Sequence, residues 1–255
     1  MVTGTAGPLP VPGDGSLANY WRFHQAVATA QLASWLPMDR QILLDISGPQ
    51  GRCAVQAARA GHTVLRVSAG DTPDDAPRGP RHWPGPGGMV TDVIADPGNL
   101  RFLADASVDG VIADDRALSR YIAAEYLTAE IARVLRPGGR LIASVDSLVL
   151  GMAMLAEQRQ WAELTDLPSA EVLLIPWQDG TFTRCYGAQH LRDLCVEAGL
   201  KLGTVRPRTV LSPSMVARVL RHDPSAMSRL VKAELTAAAD ESFGIQLVVT
   251  ARKPQ

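Results

Sequence analysis

The run Ile42-Leu43-Leu44-Asp45-Ile46 constrains the fold more than any other stretch. It is apolar apart from Asp45 and shows no polar alternation, the pattern of a strand buried on both faces of a parallel sheet. The turn Ser47-Gly48-Pro49-Gln50-Gly51 follows it. An Ala-rich helical segment then runs over residues 52–60, Gly61 closes it, and a second strand is expected over 63–67. Strand, turn, helix and strand within about thirty residues make one parallel crossover unit.

The alternation continues along the chain. Strands are expected at residues 89–95, 108–113 and 140–145. A helix is expected over 118–135, ended by Arg136-Pro137-Gly138-Gly139. An N-terminal helix over 17–35 follows from apolar residues at three- and four-residue spacing, with Ser16 as cap and Pro37 as stop. Beyond residue 147 the pattern predicts a helix over 148–164, a short apolar segment at 172–175 and a helix over 188–198. A strand at 201–206, a mostly helical stretch over 214–239 split by Pro224, and a strand at 245–252 complete the chain. The last two strands are expected to pair antiparallel at a sheet edge. Residues 69–88 hold five prolines and five glycines and read as a long loop, and residues 1–16 as a flexible arm. The fold class is therefore α/β, a mostly parallel sheet with helices on both faces.

Composition excludes several classes. The 25 basic and 26 acidic residues leave a net charge of −1, which argues against a constitutive nucleic-acid binder or a polybasic membrane anchor. Three cysteines, Cys53, Cys185 and Cys195, with no Cys-x-x-Cys pair, predict neither a disulfide framework nor a thiolate metal site. The segment MVTGTAGPLPVPGDG lacks the features of a signal peptide. The apolar stretch at residues 148–156 is far short of the ~20 residues that span a bilayer. A cytoplasmic protein without membrane or nucleic-acid partners is expected. All but three of the 25 basic residues are arginine, which, with abundant Ala, Gly and Pro, reads as GC-rich coding and not as chemistry.

Four segments, in order, resemble the class I S-adenosylmethionine (SAM)-dependent methyltransferases of the small-molecule branch. ILLDISGPQGR with its Ala-rich helix and AGHTV resembles the first strand, glycine loop, helix and second strand. Asp96-Pro97-Gly98-Asn99-Leu100-Arg101-Phe102 resembles the acidic turn after strand three. Ser107-Val108-Asp109-Gly110-Val111 resembles the entry to strand four. Arg133-Val134-Leu135-Arg136-Pro137-Gly138-Gly139 resembles the run before strand five most closely. The closing strand, around Ile245-Gln246-Leu247-Val248-Val249, is also similar.

The resemblance implies a seven-stranded sheet of order 3-2-1-4-5-7-6 with the last strand antiparallel. It implies an arm and lid helix over residues 1–40 and one domain over 41–255, with acceptor-side insertions near 147–190 and 207–243. It also implies SAM at the carboxyl ends of the strands, the usual ligand edge of open α/β sheets. The cofactor-binding candidates are Asp45, Ser47, Gly48, Gly51, Ser68, Asp96 and Asp114. Asp96 has a simpler rival role as a turn residue before Pro97 and Gly98.

Two departures stand out. Ser47 and Pro49 replace the first two glycines of the family's Asp-x-Gly-x-Gly-x-Gly loop. Ser68 stands where the family ends strand two with an acid that holds both ribose hydroxyls, and a hydroxyl cannot make that charged bidentate contact.

Methyl transfer is an in-line displacement that needs alignment more than acid–base help. Of the five histidines, His190 in the variable region before strand six is the candidate base. No metal is expected. The reading is a SAM-dependent methyltransferase of a small-molecule acceptor. The alternative is a non-catalytic or repurposed member of the fold. A nicotinamide-linked dehydrogenase is disfavoured, because Gly-x-Gly-x-x-Gly and an acid after strand two are both missing.

Overall fold

The computed structural model describes residues 15–48, 50–70, 81–82, 87–166, 171–176, 180–237 and 244–255. Its strands are β1 (Ile42–Asp45), β2 (Thr63–Ser68), β3 (Arg81–His82), β4 (Met89–Ile94), β5 (Val108–Ala113), β6 (Leu135–Ser147), β7 (Val172–Pro176), β8 (Phe182–Tyr186), β9 (Lys201–Pro207) and β10 (Gln246–Arg252). They run β3-β4-β2-β1-β5-β6-β10-β9, with β8 beside the end of β6 and β7 beside β8. From β4 to β6 the pairs are parallel. β10 is antiparallel to both β6 and β9. The seven expected strands are present in the expected order, and three more are added.

The additions have physical reasons. β3 is a two-residue edge strand inside the Pro/Gly stretch, where the sequence predicts only loop. The remainder of that stretch at 71–80 and 83–86, Pro49, and the arm at 1–14 lie outside the described residues. β8 escapes a hydropathy reading because Thr183 and Arg184 are buried in it beside Cys185 and Tyr186.

The helices are α1 (Gly15–Trp35), α2 (Arg52–Arg59), α3 (Ala124–Val134), α4 (Leu148–Glu157), α5 (Trp161–Asp166), α6 (Ala188–Glu197), α7 (Pro213–His222) and α8 (Met227–Thr236). α3 starts later than predicted. Asp115 and Arg116 take positive φ, residues 117–120 form a 3-10 turn, and Tyr121 is extended. The expected helix over 148–164 divides into α4 and α5, with Arg159 between them at φ 60°.

Each strand serves two cores because successive side chains face opposite ways. Leu43, Val64, Ile112 and Val248 meet Leu32 of α1 and the small residues Ala54, Ala57 and Ala58 of α2. Leu44, Ile46, Val111 and Val249 meet Leu127 and Ile131 of α3 and Leu191 and Leu194 of α6. α1 also joins α7 and α8 through Phe23, Val27, Val216, Leu220 and Leu230.

The Arg133 motif is structural. Its guanidinium donates to the Leu100 and Leu103 carbonyls at 2.9 and 2.8 Å and pairs with Glu130 and Asp105, which fixes the turn after β4. Asp109 accepts from the Ile42 N–H at 2.8 Å and from Arg136 at 2.6 Å, tying β5 to the start of β1.

α2 lies so close to β4 that a Cβ on Gly88 would stand 1.7 Å from the Ala58 carbonyl oxygen. Backbone on both sides leaves no side chain to yield. Gly88→Ala is therefore expected to cost about 3 kcal/mol or more, the upper end of overpacking effects, in urea unfolding at neutral pH.

Candidate functional site

At the carboxyl end of β1 the chain turns sharply. Asp45 is fully buried, and its Oδ1 accepts from the Ser47 N–H at 2.9 Å. The Ser47 hydroxyl faces β5, donating to the Ile112 carbonyl at 3.4 Å and accepting from the Asp114 N–H at 3.0 Å. A glycine here would leave that strand-to-strand link unmade. Ser47 thus bridges the end of β1 to β5. Burial, reinforced by the nearby Asp114 carboxylate, pushes the Asp45 carboxyl above the usual range, while Ser47 acts against it.

Gly48 follows at φ 129°, a conformation that side chains avoid. The Arg120 guanidinium stands over it: a Cβ on Gly48 would lie 3.0 Å from Nη1. Nη2 of the same group donates to the Ser47 carbonyl at 2.6 Å. Gly51, also left-handed, makes room for Arg66, whose Nη1 would lie 2.6 Å from a Cβ there. Arg66 on β2 pairs at 2.9 Å with Asp92, its register partner on β4, and both side chains are almost wholly buried.

The edge continues as ion pairs. Asp114, at the end of β5, is paired with Arg208, which follows β9, and both are buried. Burial alone would raise Asp114, but Arg208, the Ser144 hydroxyl and the Asp115 N–H outweigh it and hold the carboxyl below its usual range. Arg116 meets Asp146 at 2.8 Å, and Asp146 also accepts from the Thr183 hydroxyl. His24 of α1 is buried beside this group. Its pKa falls to about 3, mainly through burial and then through Arg208, with Asp114 opposing.

The structure therefore brings Asp45, Ser47, Gly48 and Asp114 together at one turn, with Gly51 next to Arg66. Ser68, at the end of β2, is 2% exposed, and its hydroxyl has no hydrogen-bond partner among the described residues. Asp96 is exposed, and its Oδ1 accepts from the Gly98 N–H at 2.8 Å, the turn geometry that rivalled its cofactor role. The Tyr121 ring lies against Gly98.

His190 stands apart, in the first turn of α6. Its ring stacks on Tyr186 with centroids 5.8 Å apart, and its Nε2 is 3.2 Å from Arg184 Nη2. A guanidinium only donates, so Nε2 accepts and the ring proton sits on Nδ1. The nitrogen that would take a proton is already engaged.

That Arg66, Arg116, Arg120 and Arg208 stand at this edge was not legible in the sequence. Reading arginine abundance as coding bias concealed them, and the available signal was their placement beside or just after strand ends that also carry aspartates. Among the described residues no cluster of His, Cys, Asp or Glu is suited to a metal, and no helix is long and apolar enough to cross a membrane.

No protein-family model matches the chain, and no curated protein matches it by sequence. Solved structures do match. A SAM-dependent methyltransferase from Methanosarcina mazei has 15% identity and a TM-score of 0.59, over 88% of this chain and 97% of that one. The Burkholderia thailandensis 1,6-didemethyltoxoflavin-N1-methyltransferase, solved with 1,6-didemethyltoxoflavin and S-adenosylhomocysteine, has 21% identity and a TM-score of 0.57, over 98% and 94%. The fold is that of the class I SAM-dependent methyltransferases. The same fold serves other chemistry: the 4+2 cyclase SpnF matches at 18% identity and a TM-score of 0.52, over 89% of this chain and 80% of that one.

Two predictions follow from the edge. Arg208→Met strands a buried carboxylate and is expected to cost about 3–5 kcal/mol, whereas Arg208→Met with Asp114→Asn recovers much of that loss in the same denaturation assay. The second concerns acid. A histidine with a lowered folded pKa contributes stability that is present above about 6.5 and lost as pH falls towards about 3. Asp114, whose pKa is also lowered, acts in the same direction at lower pH. His24→Phe is expected to flatten the dependence of stability on pH between about 6 and 4 by up to ~1.4 kcal/mol per unit. Urea titrations across that window measure it.

Proposed function

We propose that the protein is a SAM-dependent methyltransferase acting on a small molecule. The observation that carries this reading is the Arg120 guanidinium over Gly48. The loop is covered by the far end of a flexible side chain and not by backbone. Its visible partner is a neutral carbonyl, and a carboxylate is a stronger partner for a guanidinium. The methionine carboxylate of SAM has that chemistry, and the family resemblance puts the methionine moiety at this loop.

Arg120 and Gly48 would hold the amino-acid end, with the Asp96 turn near the adenine. When bound, the cofactor supplies an electrophilic methyl group on a good leaving group. The chain's own contribution is alignment and exclusion of water. Ser47 locks β1 to β5 beneath the loop, and the ion pairs around Asp114 and Asp146 fix the edge. The insertions carrying α4, α5, β7 and β8 would form the acceptor side. His190 there would position the acceptor, because Arg184 occupies the nitrogen a base needs.

A second reading, a repurposed member of the fold, is favoured by Ser68. It is buried, and it lacks the acid that would grip a ribose. The cyclase match makes a different reaction on this fold a concrete case.

Isothermal titration of the full chain with SAM and with S-adenosylhomocysteine separates the two. Micromolar binding that weakens tenfold or more in Arg120→Ala is expected, the loss of one charge-assisted contact. Absence of binding by the unmodified protein at about 1 mM ligand, a free energy near −4 kcal/mol, overturns the methyltransferase reading in favour of the repurposed one.

A further inference from the structure

On the face of the sheet covered by α1 and α8, away from the Asp45 turn, β6, β9 and β10 line a cavity of about 620 Å³. Lys201, Arg252 and Arg140 are register partners across these three adjacent strands. Partners in register point to the same face, with Cα atoms about 4.5–5.5 Å apart. Three cations therefore stand in one row. Among the described residues no acidic side chain lines the cavity.

Like charges placed directly opposite one another destabilise a sheet. Arg140 is held there by backbone, donating to the Trp35 carbonyl at 3.1 Å, with its guanidinium 6.0 Å from the Trp35 ring centre. Burial and then the Arg252 charge lower its pKa, so the repulsion is felt. Lys201 and Arg252 are exposed at their ends of the strands. Next to the cationic row the same face offers Trp35, Ile142 and Val248, an apolar floor, with Leu235 of α8 alongside. The cavity volume is that of a typical small-molecule site.

We propose that this cavity is a binding site for an organic anion, a phosphate or carboxylate head on an apolar body. The head bridges Lys201, Arg252 and Arg140, and the body lies on Trp35, Ile142 and Val248. The bound anion relieves the repulsion that the free protein carries. The site does not depend on the cofactor reading, since none of its residues lies at the Asp45 turn.

The test uses the full chain and 1-naphthyl phosphate, with inorganic phosphate and neutral 1-naphthalenemethanol as comparisons, in calorimetric titration and thermal melting. The aromatic phosphate is expected to bind at least tenfold more tightly than either comparison. Arg252→Gln and Lys201→Gln each weaken it about tenfold, the value of one charged contact. The same two variants, without ligand, melt higher than the unmodified protein, because each removes a like charge from the row. Equal binding of inorganic phosphate or of the neutral alcohol overturns the proposal. So does a variant that binds 1-naphthyl phosphate undiminished, or one that melts lower than the unmodified protein.

Discussion

A carboxylate is costly to keep ionised in a protein interior unless a cation or hydrogen-bond donors face it, and Asp114 has both. Much at the ligand edge of the sheet is arranged around its pairing with Arg208. Arg208 follows β9, so the pair draws the segment after β9 across the end of β5. That segment is then fixed from two further sides. The Glu234 carboxylate of α8 accepts from the Val210 and Leu211 N–H groups at 2.7 and 3.1 Å, and the Thr209 hydroxyl meets Tyr20 of α1 at 2.9 Å. One ion pair thus links the central strands to α1 and α8, and His24 beneath them is kept neutral mainly by burial.

The same logic governs the rest of the edge. Arg66 with Asp92 and Arg116 with Asp146 are pairs of opposite charge, each drawn from different strands or from a strand and the turn beyond another. Such pairs are poor sources of net stability but severe penalties when broken, so they specify one arrangement of the strand ends. A glycine-rich loop relies on backbone freedom for close approach of a ligand. Here the Ser47 hydroxyl links β1 and β5, while Gly48 and Gly51 take positive φ.

The sheet was legible because buried parallel strands are continuous apolar runs, as at Ile42–Asp45 and Val108–Ala113, and because Arg133-Val134-Leu135-Arg136-Pro137-Gly138-Gly139 names its place in the order. What stayed hidden was polar and buried. β8 carries Thr183 and Arg184 inward, so no hydropathy pattern marks it. The positive φ at Asp115 and Arg116 delays α3; aspartate is a residue type enriched in that region, but nothing in the Arg116 side chain announces it. That Asp45, Ser47, Gly48 and Asp114 meet at one edge was legible because they sit at or just after strand ends. Their cationic partners were not, because Arg120 lies 73 residues from Ser47 and Arg208 lies 94 residues from Asp114 along the chain.

Charge at the turn has a consequence for what can sit there. Asp114, Asp146 and Asp92 are each matched by an arginine, and burial disfavours charge on Asp45. Among the described residues, Arg120 faces the loop with a carbonyl as its hydrogen-bond partner and feels the Asp115 charge. A purely cationic ligand is therefore repelled from Gly48, and a ligand that presents a carboxylate is attracted. A zwitterion satisfies both conditions only in one orientation, with its carboxylate on Arg120 and its positive centre directed away from the loop. On the proposed reading, a single guanidinium would thus set the orientation of the ligand before its remaining contacts form.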